Sequence, residues 1–161
     1  MNDSIFKDYT HLKSVEIGSE VTAIGDSAFR GCTFMESITF GENSQLTEIG
    51  DYAFSGCKKI FSVKMPSTVT TIGNYAFAMC SELYTLKLSN NLTSIGSNAF
   101  AGCLSLRKIV IPACVANIDS EAFSSCSTLK NIYCQAESKP EGWKNDWKGN
   151  CSATVTWGYT E

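Results

Sequence analysis

The sequence predicts an α/β solenoid: a right-handed coil with a parallel sheet on one face and short helical turns on the opposite face. Three observations carry that expectation. First, a block Ile-Gly-x-x-Ala-Phe-x-x-Cys recurs at Ile24-Gly25…Ala28-Phe29…Cys32, at Ile49…Cys57, at Ile72…Cys80 and at Ile95…Cys103. A fifth copy, Ile118-Asp119…Ala122-Phe123…Cys126, changes only the glycine. Second, these cysteines step by 25, 23, 23 and 23 residues, a spacing found in stacked repeat proteins. Third, a leucine signature fills each gap, as in Leu83-x-x-Leu86-x-Leu88 and Leu106-x-x-Ile109-x-Ile111.

Each part of the unit has its own warrant. Leu86 and Leu88 alternate with Thr85 and Lys87, the period of a strand with one buried face. Ile72, Ala76 and Cys80 fall at i, i+4, i+8, which predicts one helical face across the coil. Before the Ala-Phe pair stands a column of Asp26, Asp51, Asn74, Ser97 and Ser120, all residue types that cap helix N-termini. Gly31, Gly56 and Gly102 precede the cysteine, where a left-handed residue would end such a helix. One unit cannot bury its apolar stripe alone, so stacking is the stable solution, with the strands paired in parallel and right-handed crossovers. Phe29, Phe54, Phe77, Phe100 and Phe123 then form a spine, while Ile38, Val63, Leu86, Ile109 and Ile132 line the sheet from inside.

The expected organisation is a single solenoid over 1–161, with an incomplete first repeat at 1–20, five repeats at 21–140 and a C-terminal cap at 141–161. Ile5-Phe6 aligns with Ala28-Phe29, and Leu12, Val15 and Ile17 align with Met35, Ile38 and Phe40. The helix-start half of that unit is expected to be absent, with nothing polar replacing it as a cap, whereas solenoid ends normally carry capping units. The simplest reading is a chain cut from a longer protein, with self-association through the apolar N-terminal end. At the other end Trp143, Trp147 and Trp157 are the only tryptophans. They are read as closing the core, the alternative being an aromatic carbohydrate platform.

Composition narrows the function classes. A hydrophobic fraction of 43% in 161 residues suits one elongated domain. The net charge of -3, with no basic block, gives no pointer to nucleic acid. No stretch reaches the ~18 apolar residues of a membrane span, and no signal-peptide pattern occurs. The eight cysteines include no Cys-x-x-Cys pair, and His11 is the single histidine, so neither a zinc site nor a Ser–His–acid triad can be assembled. Cofactors are expected to be none, metals none, and the chain is not expected to be an enzyme. Cys32, Cys57, Cys80, Cys103 and Cys126 are read as a buried column of unpaired thiols. A bond between Cys134 and Cys151 is left open, and Cys114 is the expected exposed thiol.

The block with its following Leu-x-x-Ile-x-Ile-Pro resembles the BspA-like leucine-rich repeats, over about residues 5–140. The proline is present at Pro66 and Pro112 and is Gly41, Ser89 and Gln135 elsewhere. The ending Gly142-Trp143…Trp147…Cys151…Trp157-Gly158 is similar to caps of that family. The resemblance implies a secreted or surface-attached bacterial protein with an adhesion role, binding an extracellular protein or another host-cell ligand. It carries over no catalytic residues. The outward strand positions are therefore the candidate site: Phe61, Tyr84, Lys64, Lys87, Arg107, Lys108, Val110 and Tyr133. Phe61 and Tyr84 are either binding anchors or a cross-strand pair that stabilises only the sheet. The function expected is a non-catalytic interaction module of a larger protein; the rival is a passive spacer.

Overall fold

The structure is a computed structural model and describes residues 1–160. Its chain winds through two sets of short parallel strands, with no helix among the described residues. The wider set comprises β1 (Ser14–Ile17), β3 (Ser37–Phe40), β5 (Ser62–Lys64), β7 (Thr85–Lys87), β9 (Lys108–Ile111), β11 (Asn131–Cys134) and β12 (Thr154–Thr156). The narrower set, β2 (Ala23–Ile24), β4 (Glu48–Ile49), β6 (Thr71–Ile72), β8 (Ser94–Ile95) and β10 (Asn117–Ile118), forms one five-stranded ladder. The isoleucine of every Ile-Gly block thus sits on a second sheet, in register from Ile24↔Ile49 to Ile118↔Ile95.

The expected helical turns are absent, and the hydrogen bonds explain why. Ser27, Phe29 and Gly31 donate their N–H groups to Asp51, Ala53 and Ser55 of the next coil, at 2.7, 2.8 and 2.8 Å. Between them Ala28, Arg30 and Cys32 close local turns onto Gly25, Ser27 and Phe29. A helix would bond each N–H to the residue four back; here every second one is spent on stacking. Ser27 and Gly31 are also left-handed, at φ 57° and 75°, which a right-handed helix cannot contain. Gly56 and Gly102 share that conformation. The expected left-handed glycines exist, but they turn a coil and end no helix.

The presumed cap column does similar work between coils. Asp51 N–H donates to Asp26 Oδ1 at 2.7 Å, Asn74 N–H to Asp51 Oδ1 at 2.6 Å, and Ser97 N–H to Asn74 Oδ1 at 2.8 Å. Each side chain caps the coil stacked on it, not its own helix. This accounts for the glycine of the block. A Cβ at Gly50 would lie 2.6 Å from Asp26 Oδ1, and one at Gly73 2.5 Å from Asp51 Oδ1. The one of the five blocks without that glycine, at Asp119, stacks on the shorter Ser97.

Inside, the phenylalanine spine is continuous. Ring centroids are 5.4 Å apart for Phe6–Phe29, 5.2 Å for Phe29–Phe54 and 5.2 Å for Phe54–Phe77, all nearly parallel. It continues through Phe100 and Phe123 at 5.7 and 5.5 Å and ends edge-on against Trp147. Beside it the thiols of Cys32, Cys57, Cys80, Cys103 and Cys126 donate to the carbonyls of Phe6, Phe29, Phe54, Phe77 and Phe100, at 3.1–3.3 Å. All five are buried and free. Cysteine is small enough for the corner and supplies a weak donor that alanine lacks.

Both ends differ in detail from the letters. Asp3, 23 residues before Asp26, accepts the Asp26 N–H at 3.0 Å, and the Met1 ammonium donates to Ala23 O at 2.5 Å. Residues 1–4 therefore occupy the place that the repeat alignment leaves blank. Ile17 is fully buried, while Ile5 is 52% exposed and Phe6, Leu12 and Val15 are half-buried. At the far end Trp143 and Trp147 are buried against the last coil, and Trp143 Nε1 donates to Val115 O at 2.9 Å. Trp157 is only half-buried. Cys151 extends the thiol column above Cys126, whereas Cys134 ends β11; both are buried and free, in separate columns.

Candidate functional site

The outward positions of the wider sheet present one surface. From β5 onward they are Ser62, Lys64, Thr85, Lys87, Lys108, Val110, Asn131, Tyr133, Thr154 and Thr156, with no acid among them. Phe61, Tyr84, Arg107 and Lys130 stand one residue ahead of the strands and are all exposed. The sequence-derived candidates thus share this face, with Lys64 directly across from Lys87. At the N-terminal end the same columns carry Glu16 and Glu36 instead. The face changes sign along its length.

Phe61 is 56% and Tyr84 45% exposed, and their rings stack at 5.4 Å and 7°. The Arg107 guanidinium lies over Tyr84, 5.7 Å from its centroid. Both alternatives for this pair therefore coexist: the rings do stack, and they remain open to solvent. Tyr133 packs on Tyr159 at 4.5 Å, a partner the strand alternation did not single out. On another side of the coil Tyr52 and Tyr75 stack at 4.8 Å with Arg30 over Tyr52. Their adjacency in one column was the available signal.

The wider sheet is not continuous. β1–β3 and β9–β11 each hold four register pairs, β3–β5 keeps only Ser37↔Ser62, and no ladder joins β7 to β9. The two weak seams are those below Pro66 and Pro112. In the β1–β3 and β9–β11 seams Gly41 N–H donates to Ile17 O and Gln135 N–H to Ile111 O, at 2.9 and 3.0 Å, while the β5–β7 seam holds three register pairs without the corresponding bond. Proline has no N–H to give at that place. The Pro66 seam also adjoins the two extra residues of the 25-residue step. Hollows open there: one of 910 Å³ lined by Phe40, Asn43, Lys64 and Pro66, one of 490 Å³ by Lys87, Val110, Pro112 and Tyr159, and one of 420 Å³ by Tyr84, Arg107, Lys108 and Lys130. The prolines were legible as a column; their effect on pairing was not drawn from it.

The surface offers charge and apolar edges. Seven of the eight thiols lie inside, and burial raises those of Cys126 and Cys134 to about 12. Cys80 and Cys103 are raised well above the ordinary range, again chiefly by burial. A protonated thiol is a poor nucleophile and a poor metal ligand. Cys114 is the exposed one, its Sγ donating to Asn90 O at 2.9 Å. Among the described residues no group of three or more His, Cys, Asp or Glu is placed to hold a metal ion.

Comparison with known proteins agrees with this geometry. The chain is similar in structure to a Treponema pallidum leucine-rich-repeat protein, at 28% identity and a TM-score of 0.72, covering 76% of this chain and 58% of that one. It is similar to a leucine-rich cell surface protein of Faecalibacterium prausnitzii, at 31% identity and a TM-score of 0.65, covering 91% of this chain and 45% of the other. It is also similar to the pneumococcal vaccine antigen PcpA, at 28% identity and a TM-score of 0.70, covering 76% and 30%. The chain therefore spans 58% or less of the length of these relatives. No curated protein sequence matches it. The sequence pattern of the BspA-type leucine-rich-repeat region matches residues 1–130 in six copies. The chain belongs to that family.

Proposed function

We propose that this chain is a non-catalytic protein-interaction module, acting at a bacterial cell surface as part of an adhesive protein. One observation carries the reading: Phe61, Tyr84 and Arg107 form an exposed ladder on a rigid sheet, beside Lys64 and Lys87. Aromatic and Arg side chains held in place are the groups that dominate interface energies. A spacer has no use for them on one face. Surface plasmon resonance against purified extracellular matrix proteins tests this, comparing the chain with a Phe61→Ser, Tyr84→Ser variant. Binding that the double variant loses supports the module. No binding by either protein supports the passive spacer, and equal binding by both removes this face as the binding site.

We propose in addition that the chain associates with itself through its first coil. β1 has a partner on one side only, and Ile5 and Tyr9 are 52% and 61% exposed beside it. Unpaired strand edges template association. Light scattering of the chain beside an Ile5→Glu, Val15→Glu variant checks this. The expected result is a dimer that the variant dissociates, and two monomers at high concentration would remove the idea.

A further inference from the structure

We infer that the partner of the strand face presents an acidic polypeptide segment, which seats along the open seam between β7 and β9. This rests on the strand face being a binding surface. Three observations lead to it.

The first is the concentration of unneutralised cations. Lys64, Lys87, Arg107, Lys108 and Lys130 are exposed on this face, yet the only salt bridge among the described residues is Lys59–Glu82. Lys64 and Lys87 are direct cross-strand neighbours, an arrangement that costs sheet stability. The whole chain is net negative at -3, so this is a segregated field and not a generally basic surface. Carboxylates from a partner would relieve the repulsion and steer its approach.

The second is the seam. No ladder joins β7 to β9, where Pro112 has no N–H to give, and the hollow there sets the outward Val110 beside Arg107, Lys108 and Lys130. It adjoins the hollow of Lys87, Pro112 and Tyr133 through shared Leu86, Lys108 and Val110. The result is a strip of cations around one outward aliphatic residue, Val110. That suits acidic side chains interspersed with apolar ones.

The third separates a polypeptide from an anionic glycan. Sugars stack on open ring faces. Here Phe61 covers one face of Tyr84 and Arg107 covers the other, so Tyr84 shows its edges to solvent. Ring edges carry the positive end of the aromatic quadrupole, which adds to the attraction for carboxylates and offers a sugar no platform.

The test uses a random glutamate–tyrosine copolymer as probe, heparin as the competing polyanion, and fluorescence anisotropy as readout. The whole chain is compared with three variants. One is Lys87→Glu, Lys108→Glu. A charge-matched control, Lys7→Glu, Lys144→Glu, changes exposed lysines on other sides of the coil. The third is Pro112→Gln, which installs the residue found one coil later at Gln135 and restores the missing donor. The copolymer is expected to bind, and to weaken roughly tenfold between about 50 and 300 mM salt. The seam double variant is expected to lose at least about tenfold and the control less than about twofold. Pro112→Gln is expected to weaken copolymer binding while gaining amide-exchange protection in β9. If it fails to fold, the two lysine pairs still decide. Preference for heparin, or equal losses in the two lysine pairs, would overturn the inference. The outcome for the module itself is separate. A matrix protein bound through Phe61 and Tyr84 while the copolymer is ignored leaves the module standing and removes the acidic segment.

Discussion

The inner wall and the strand face of this solenoid are built from the same coils under different rules. Inside, some columns repeat one residue, as in phenylalanine from Phe29 to Phe123 and cysteine from Cys32 to Cys126, and others vary only among apolar residues, as in Ile38, Val63, Leu86, Ile109 and Ile132. Every coil meets a similar neighbour above and below, so a side chain that fits once fits throughout. Outside, the column Glu16, Thr39, Lys64, Lys87, Val110, Tyr133 changes at nearly every step. Nothing in the stacking constrains it. The contrast teaches that stability in this chain is periodic, whereas recognition depends on the departures from the period.

The largest expected effect breaks the periodic side. Phe77→Ala removes a fully buried ring stacked on both faces and should cost about 3–5 kcal/mol, measured by urea unfolding. Trp147→Ala, at the end of the same spine, should lie in the same range. Trp157→Ala should cost clearly less, because Trp157 is half-buried. Equal losses for the two tryptophans would show that the cap holds as one unit.

Alkaline pH acts on the same wall through its thiols. Burial raises Cys126 to about 12 and raises Cys80 and Cys103 well above the ordinary thiol range. In the unfolded chain these groups lose their protons first as pH rises. The thiol contribution is therefore fully present below about pH 8.5 and is lost as pH climbs toward the folded values. Each deeply buried thiol should add a slope of about 1.4 kcal/mol per pH unit in that window. A Cys80→Ala, Cys103→Ala variant should show a shallower alkaline transition despite lower stability at neutral pH. An unchanged slope would place the thiols in a looser corner.

A smaller effect, of rate, follows from the same burial. Only Cys114 should react rapidly with a thiol reagent in the native protein, and all eight cysteines after denaturation. The smallest effect belongs to the outer face. Phe61→Ser, Tyr84→Ser should cost below about 1 kcal/mol, because both rings are already exposed. That outcome sharpens the comparison, since the variant whose stability changes least is the one expected to lose binding. A loss of several kcal/mol would make the pair part of the fold instead.

The repeat letters determined the coil, its parallel strands, the spine, the thiol column and the family. All but the family follow from spacing and polarity, which a linear sequence displays directly, and the family follows from the resemblance of the block itself. The outward set from Phe61 to Tyr133 could also be picked out, because alternation alone decides which side chains leave a strand. Three things were decided only in three dimensions. The blocks became turns and a second sheet, because stacking takes every second N–H that a helix would have used. Asp3, Asp26, Asp51 and Asn74 cap the coil above and not their own, a choice that depends on a neighbour 23 or 25 residues away. The seam below Pro112 opened because the lost donor belonged to a bond between coils, and a single unit read alone contains no sign of the strand it should have met.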